Sequence, residues 1–303
     1  MSYLKRKKLG VFDVINYILL TVFAIIVFYP FYYMLIYSFN VGESAGAGIY
    51  LWPNDFTLDN YKTLLDSPSI LTSYGITIAR TVVGTFVTVF LTGLWAYGMA
   101  DKKLLNRKFY TILSTIPMFF SGGIIPTYLL IKDLGLIDSF WVYIIPGAYS
   151  IWNMILMRTF FMGLPDGLEE AAKIDGANDF YIYFRIMLPL SLPMLATIIL
   201  LTAVAQWNAW YDAFIYVNDQ SLHPIQMFLK QTIQQNIGVK NLLNSLSAQG
   251  LDADALKQLE SIQVTSESLK AAATMITIGP IIVVYPFLQK YFVKGLTLGS
   301  LKG

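Results

Sequence analysis

Two groups of polar and aromatic residues stand out because they interrupt segments that are otherwise apolar. Aromatic faces combined with hydrogen-bonding side chains are what a hydroxyl-rich ligand such as a sugar requires. Lipid cannot satisfy buried polar groups, so in an apolar chain such residues usually face the interior of a helix bundle or a water-filled path. We therefore interpret both groups as candidates for a substrate pathway. Their members are Tyr149, Trp152 and Asn153 in the first group, and Gln206, Trp207, Asn208 and Tyr211 in the second.

The same residues also have a purely structural interpretation. The three amide side chains can hydrogen-bond between neighbouring helices. The Trp and Tyr residues can serve as anchors at the membrane–water interface, which is the role we expect for Trp52, Trp141 and Tyr143. The sequence leaves both interpretations open. We interpret the two arginines nearest to the apolar interiors, Arg80 and Arg158, as structural charges rather than substrate ligands.

Catalytic chemistry has few candidates in this chain. There is no cysteine, which excludes a thiol nucleophile, a disulfide and a thiolate metal site. His223 is the single histidine, and its place between Leu222 and Pro224 in a polar stretch is typical of an ordinary loop residue. The phosphate-binding loop motif is absent, since no Gly is followed directly by Lys. We therefore expect no catalytic residue, no metal site and no bound cofactor in this chain.

A polar segment in the middle of the chain predicts two short helices joined by a glycine turn. Asp166 and Glu169 have the spacing of a capping box at the start of the first helix. Gly176 is placed to end that helix, because glycine adopts the left-handed conformation at a helix C-terminus at little cost. Asn178 can cap the second helix, whose aromatic residues we expect to pack on the helix bundle. Physical arguments alone allow either an amphipathic connector or a docking element for a soluble partner.

The composition places the chain among membrane proteins. Of its 303 residues, 56% are hydrophobic and only 13% are charged, and the mean hydropathy is +0.57. A helix needs roughly 20 mostly apolar residues to cross a bilayer. The segments that satisfy this requirement lie at about residues 14–37, 75–100, 109–131, 140–162, 187–215 and 271–292. In the third of them, Gly122 and Gly123 lie between Pro117 and Pro126, which marks this span as the most deformable.

Lysine and arginine determine the orientation that we expect. With the N-terminus inside, the inner segments hold thirteen of these residues and the outer segments hold six, in agreement with the positive-inside rule. We therefore expect both termini in the cytoplasm. Residues 1–13 then form a cytoplasmic N-terminus, and residues 14–303 form a single transmembrane domain. Within that domain, 163–186 is a cytoplasmic loop and 216–270 is an extracellular insertion.

The cytoplasmic loop resembles the coupling loop of bacterial ATP-binding-cassette importer permeases. The Trp207-Asn208 pair and the end of the chain are similar to the carbohydrate-uptake branch of these permeases, which includes maltose-type permeases. The long insertion resembles the Gram-positive subgroup that is tied to complex oligosaccharides and polysaccharide fragments. The residues that carry the coupling-loop resemblance are Glu170-Ala171-Ala172, Asp175-Gly176-Ala177, Ile186, Leu188-Pro189 and Pro193.

This resemblance implies a type I importer fold, all α-helical with six transmembrane helices, in the plasma membrane of a Gram-positive bacterium. It implies a permease subunit that alternates between inward- and outward-facing states while it imports oligosaccharides or polysaccharide fragments. The residues that it assigns to the contact with an ATPase are Glu170, Ala171, Ala172, Asp175 and Gly176.

The resemblance also implies a set of partners. They are a second homologous permease subunit that forms a heterodimer with this chain, two cytoplasmic ATPase subunits that bind ATP and Mg, an extracellular sugar-binding lipoprotein, and membrane lipid; nucleic acid has no part. The competing class is an ion-coupled secondary transporter, which requires acidic residues within its spans. Asp212 is the only candidate for such a residue.

Overall fold

The regular secondary structure of the described residues is helical. The structure is a computed structural model, and it describes residues 10–40, 51–165, 167–234 and 267–284. Within these ranges the only β-type pairing is a single antiparallel bridge between Asn40 and Phe56. This observation agrees with the predicted all-α class. Several predicted features lie wholly or largely outside the described residues, namely the cytoplasmic N-terminus, the cap at Asp166, most of the insertion and the end of the sixth span.

The described residues form the following α-helices in chain order. They are α1 (Val11–Ser38), α2 (Asp59–Leu65), α3 (Pro68–Ala100), α4 (Arg107–Thr115), α5 (Ile124–Asp133), α6 (Ile151–Met162), α7 (Gly167–Ile174), α8 (Asp179–Ile182), α9 (Leu188–Leu190), α10 (Leu192–Asn208), α11 (Tyr211–Tyr216), α12 (225–234) and α13 (Glu267–Val284). Short 3₁₀ turns occupy Ile116–Met118, Phe140–Tyr143 and Gln220–Leu222, and Tyr183–Met187 form a π-helical turn between α8 and α9.

The described residues divide into two units. The first contains residues 10–40, 51–66, 232–234 and 267–276. Its centre is Asn60, which is buried and donates hydrogen bonds to the carbonyls of Ser38 and Asn40 at 3.0 and 3.1 Å. Ser268 donates to the Oδ1 atom of Asn60 at 3.2 Å, so this one amide joins α1, α2 and α13.

The second unit contains residues 67–231, apart from 166, and residues 277–284. Its long helix α3 packs against both α6 and α10. Near the turn after α5, Asp138 accepts hydrogen bonds from the backbone N–H groups of Asp219 and Asn218. These donors lower the pKa of Asp138 because they favour its charged form. The turn at 132–139 is thereby tied to the start of the predicted insertion.

The predicted spans differ in how regular their helices are. Among the described residues, α1, α3 and α13 are long and apolar enough to cross a membrane, and the bent pair Asp179–Leu190 and Leu192–Asn208 would make a fourth span. Two other predicted spans, 109–131 and 140–162, are broken into shorter helices. The break in 109–131 falls between Ile116 and Gly123, where Gly123 has a φ of +88°. This is where the Pro and Gly residues predicted the greatest deformability.

The irregular stretch 144–150 of the predicted fourth span is held by side chains of α3. Thr88 donates a hydrogen bond to the carbonyl of Gly147 at 2.7 Å, and Thr92 accepts one from the N–H of Ser150 at 3.1 Å. Non-helical backbone at membrane depth is tolerated only when protein or water satisfies its polar groups. The two threonines supply those partners, so the irregular backbone between Tyr143 and α6 is stabilised by its hydrogen bonds to α3.

Glycine permits the close approach of helices at the centre of the second unit. A Cβ atom added at Gly93 of α3 would lie 2.5 Å from the hydroxyl oxygen of Tyr183 and 3.0 Å from the Cε atom of Met157. Both of these residues are buried in the main apolar cluster of this unit. Gly98 lies one and a half turns further along the same helix, and a Cβ atom there would meet nothing within 4 Å.

We expect Gly93→Ala to destabilise the protein and Gly98→Ala to leave it unchanged or slightly more stable. Overpacking a filled core costs about 1–3 kcal/mol, whereas Gly→Ala at an open helical site gains roughly up to 1 kcal/mol of helix propensity. The measurement is the thermal unfolding midpoint of each purified variant in detergent. Equal midpoints for the two variants would contradict the packing described here.

Candidate functional site

An open cavity of about 620 Å³ lies between α3, the broken fourth span and the end of α10. Its wall combines aromatic faces with hydrogen-bonding groups. Trp152 and Tyr149 are 60% and 38% exposed, so their rings are accessible. The polar residues in its lining are Arg80, Thr88, Ser150, Asn153, Thr202, Gln206 and Asp212, in addition to the tyrosines. The cavity therefore brings together four of the predicted pathway residues, namely Tyr149, Trp152, Asn153 and Gln206.

Arg80 is the most deeply buried charge of this cavity. It lies on α3 and is only 1% exposed. Its Nη2 and Nη1 atoms donate to the two carboxylate oxygens of Asp212 at 2.6 and 3.1 Å, which is a bidentate ion pair. Its Nε and Nη2 atoms donate to Oε1 of Gln206 at 3.4 and 3.2 Å, and Nη1 donates to the carbonyl of Ala209 at 3.2 Å. The guanidinium also lies over the ring of Tyr143, 4.4 Å from its centroid.

These contacts match the five N–H donors of a guanidinium one for one. A buried charge is tolerated only when it is paired and its remaining hydrogen-bonding groups are satisfied. The Ala209 carbonyl is available to Arg80 because α10 ends at Asn208 and α11 begins only at Tyr211. The break in the predicted fifth span is thus coupled to the burial of this arginine.

The Asn153 and Gln206 side chains form hydrogen bonds between helices, which is the structural role considered for them above. Asn153 on α6 donates to the hydroxyl of Thr202 on α10 at 3.1 Å, and Gln206 on α10 binds Arg80 on α3. A Cβ atom at Gly84 of α3 would come within 2.7 Å of the Nε2 atom of Gln206, so this glycine makes room for the amide. The two interpretations of these residues are compatible, because both side chains bridge helices and line the cavity.

The other three predicted pathway residues do not line the cavity. Trp207 donates from its indole N–H to the carbonyl of Thr277 at 3.2 Å and belongs to a different, apolar groove. Asn208 accepts a hydrogen bond from Gln226 at 3.4 Å. Tyr211 is 47% exposed and stands edge-on to Trp210. None of these three residues is part of the wall that contains Trp152.

The polar segment after α6 is a helix, a glycine turn and a second helix, as predicted. Gly176 has a φ of +82°. Its N–H donates to the carbonyl of Lys173 at 3.1 Å, and the N–H of Ala177 donates to the carbonyl of Ala172 at 2.9 Å. This pair of bonds is the Schellman arrangement that ends a helix at a glycine. Asn178 caps α8 by accepting from the N–H of Tyr181 at 2.8 Å, which confirms its predicted role.

The two sides of this segment differ in exposure. Ala172 is buried against the apolar cluster of the second unit, whereas Glu170, Ala171, Asp175 and Gly176 are exposed. The exposed side also carries large apolar residues: Ile174, Phe180 and Tyr181 are 87%, 68% and 56% exposed. The expectation that the aromatic residues of the second helix pack on the bundle therefore holds for Phe184, whose ring stacks on that of Phe90 in α3, but it is wrong for Phe180 and Tyr181.

An ion pair braces the glycine turn of this segment. The Nζ atom of Lys173 lies 3.1 Å from Oδ1 of Asp179. The hydrogen bond to Asp179 raises the pKa of Lys173, because it favours the charged amine. Both side chains are largely exposed, so the pair orients the two helices more than it stabilises the fold. Within the described part of the chain, no three acidic or histidine side chains converge as a metal site.

Residues 90–298 match the family described as the binding-protein-dependent transport system inner membrane component. This chain belongs to that family. As its family description states, it works with a separate binding protein. It is a permease subunit and a multi-pass protein of the cell membrane, with ATP handled by a separate ATPase. The family membership confirms the expectation of a transport component rather than an enzyme. It supports the ATP-driven importer over the ion-coupled secondary transporter.

Related proteins align with this chain over nearly its whole length. Two are from Bacillus subtilis (strain 168). The polygalacturonan/rhamnogalacturonan transport system permease protein YtcP is 39% identical over 293 residues, which is 96% of this chain and 98% of that protein. Protein LplC is 40% identical over 294 residues, 97% of this chain and 95% of that protein. A solved chain of a bacterial ABC transporter involved in the import of the acidic polysaccharide alginate is 31% identical, with a TM-score of 0.79, covering 96% of the permease and 100% of that chain.

The pairing of Arg80 with Asp212 was not predicted from the sequence, although a signal for it was present. Both residues lie near the expected outer ends of their spans, and opposite charges at the same depth of a membrane bundle are expected to pair. Asp212 was considered as part of the polar and aromatic run on the fifth span and as a possible ion-coupling residue, but not as a partner of Arg80. The structure uses both of its carboxylate oxygens to bind Arg80.

We expect Asp212→Asn to destabilise the permease more than replacement of the whole ion pair by apolar residues. The single variant leaves Arg80 charged and without its anionic partner at a buried position. The cost should be about 3 kcal/mol, at the lower end of the range for a broken buried pair because the Asp212 side chain is partly exposed. The double variant Arg80→Met/Asp212→Leu removes both charges. Thermal unfolding midpoints in detergent compare the two, and a double variant less stable than the single one would contradict this account.

Proposed function

We propose that this permease moves saccharides through the cavity that contains Trp152 and Tyr149. The observation that carries the proposal is the composition of that wall, where exposed aromatic rings lie next to amide, hydroxyl and carboxylate groups. Sugar rings pack on aromatic faces, and their hydroxyl groups hydrogen-bond to polar side chains. The names of the related polygalacturonan/rhamnogalacturonan permease and alginate transporter support the same class of substrate. Oligosaccharides or fragments of polysaccharides are the proposed cargo.

The proposed topology has six spans with both termini in the cytoplasm. The basis is the excess of Lys and Arg in the inner segments together with the family membership. In this arrangement the α7–α8 segment faces the cytoplasm and the insertion 216–270 faces the outside. The proposed partners are a second permease subunit, two ATPase subunits that bind ATP and Mg, and an extracellular sugar-binding lipoprotein.

The exposed side of the α7–α8 segment is the proposed contact with the ATPase. Glu170, Ala171, Asp175 and Gly176 contribute directly to this surface, since all four are exposed. Ala172 contributes indirectly, because it packs inward and seats α7 on the bundle. The exposed Ile174 supplies apolar area beside the polar residues, and such a mixed patch is typical of a protein interface.

We expect Trp152→Ala to lower saccharide uptake by about fivefold or more when the saccharide is limiting, which corresponds to ~1 kcal/mol or more of lost ring packing. Trp141→Ala is the matched control, since Trp141 is 53% exposed and does not line the cavity. Uptake of labelled oligosaccharide by cells with equal permease abundance is the measurement. Equal uptake by both variants would remove the cavity from the proposed pathway.

We expect Gly176→Val to uncouple the permease from its ATPase without unfolding the spans. A β-branched residue at a φ of +82° costs on the order of 1–3 kcal/mol locally, whereas the spans draw their stability from packing elsewhere. Gly167→Val is the matched control, because a Cβ atom there meets nothing within 4 Å and Gly167 has no positive φ.

Co-purification of the ATPase and saccharide-stimulated ATP hydrolysis are the readouts for this pair of variants. Gly176→Val should reach the membrane in near-normal amounts and lose at least one of these two signals, while Gly167→Val keeps both. Glu170→Lys, which reverses the charge at the same surface, should behave like Gly176→Val. If both of these variants transport saccharide at the rate of the unmodified protein, the segment is a connector and not a docking element.

A further inference from the structure

Two arginines converge on the C-terminal end of α3. The Nε atoms of Arg107, at the start of α4, and of Arg158, on α6, each donate to the carbonyl oxygen of Met99 at 3.1 Å. Since both bonds end on one oxygen, the two guanidinium groups are close neighbours. Both side chains are half-buried. Like charges placed this close repel each other unless an anion lies between them or beside them.

The described residues supply no such anion. The remaining polar contact of the pair is from Nη2 of Arg107 to the sulfur of Met162 at 2.9 Å, and a thioether is a weak acceptor. No ion pair links either arginine to a carboxylate in the described ranges. Capping of the α3 carbonyls explains the two Nε bonds. This capping does not provide a negatively charged acceptor for the Nη N–H groups of either arginine.

The surroundings of the pair are apolar and exposed, which argues for a lipid environment. Leu105 and Phe109 flank Arg107 and are 81% and 61% exposed, and Ile112 and Leu113 further along α4 are 51% and 52% exposed. A short helix with basic residues at its start and an exposed apolar face is typical of the boundary between lipid headgroups and acyl chains. A water-soluble anion would gain nothing from these apolar side chains.

We propose that Arg107 and Arg158 bind the phosphate of an anionic phospholipid in the cytoplasmic leaflet. Planar guanidinium forks match phosphate oxygens in bidentate geometry, and an anionic headgroup removes the repulsion between the two cations. The acyl chains of the same lipid then cover Leu105 and Phe109. The choice of leaflet rests on the orientation proposed above, whereas the binding chemistry does not.

The first test uses the unmodified, assembled transporter in nanodiscs. One preparation contains phosphatidylglycerol and the other contains phosphatidylcholine with the same acyl chains. Native mass spectrometry counts the lipids that stay bound to the transporter, and thermal unfolding reports their effect on stability. Retention of phosphatidylglycerol should exceed retention of phosphatidylcholine by about tenfold, the effect of a charged hydrogen bond. Equal retention of the two lipids would overturn the proposal without any variant.

The second test asks whether the arginine pair is the site. Arg107→Gln and Arg158→Gln should each weaken phosphatidylglycerol retention by about tenfold. Lys108→Gln is the matched control, because it removes the same charge from an exposed neighbour and should weaken retention by at most about fivefold, as for a general surface charge. An equal loss in all three variants would mean that only the overall positive charge matters, and the site would be rejected.

A third arm separates a lipid from free phosphate. Inorganic phosphate is added in excess to the phosphatidylcholine preparation. If it raises the unfolding midpoint as much as phosphatidylglycerol does, the ligand is free phosphate and the lipid proposal is wrong; we expect no change. These readouts do not require saccharide or transport. Failure of the lipid site and failure of the proposed saccharide pathway are therefore distinguishable.

Discussion

The burial of one guanidinium governs the architecture of the second unit. Arg80 is 1% exposed, and each of its five donors has an acceptor on a neighbouring element. One of these acceptors is a main-chain carbonyl that a continuous α10 would keep for its own helix. The interruption between α10 and α11, Asp212 and Gln206 each supply acceptors for this charge. Arg80, Gln206 and Asp212 also form part of the wall of the cavity beside Trp152.

Helix α3 serves as the regular element that makes its irregular neighbours possible. Thr77 accepts a hydrogen bond from the N–H of Ile225 at 2.8 Å, and Thr88 and Thr92 satisfy the backbone of the broken fourth span. The small residues Gly84 and Gly93 let Gln206 and Tyr183 approach the same helix. The hydroxyl groups of α3 thus supply hydrogen bonds that the broken helices lack, and its glycines leave space for the side chains of neighbouring helices.

The sequence predicted the features that depend on local chemistry. The glycine turn at Gly176, the cap at Asn178 and the deformable point near Gly123 follow from backbone preferences that a few neighbouring residues determine. It predicted only part of the cavity wall, because Trp207, Asn208 and Tyr211 share a polar run with Gln206 but point to different neighbours. Which neighbour each residue meets depends on where α10 ends, and that end depends on Arg80, which is more than a hundred residues earlier in the chain.

The α7–α8 segment packs into the same buried cluster as the neighbouring spans. Ala172 and Ile182 of this segment, and Tyr183 of the π-helical turn that follows it, belong to the same buried cluster as Met157 of α6 and Ile198 of α10. A force applied to its exposed side therefore reaches these helices through close-packed side chains, since such packing has little compressibility. Gly93 places Tyr183 directly against α3, the helix that also carries Arg80. The proposed docking surface and the cavity are thus both in contact with α3, so under the proposed function this helix connects the ATPase contact to the saccharide pathway.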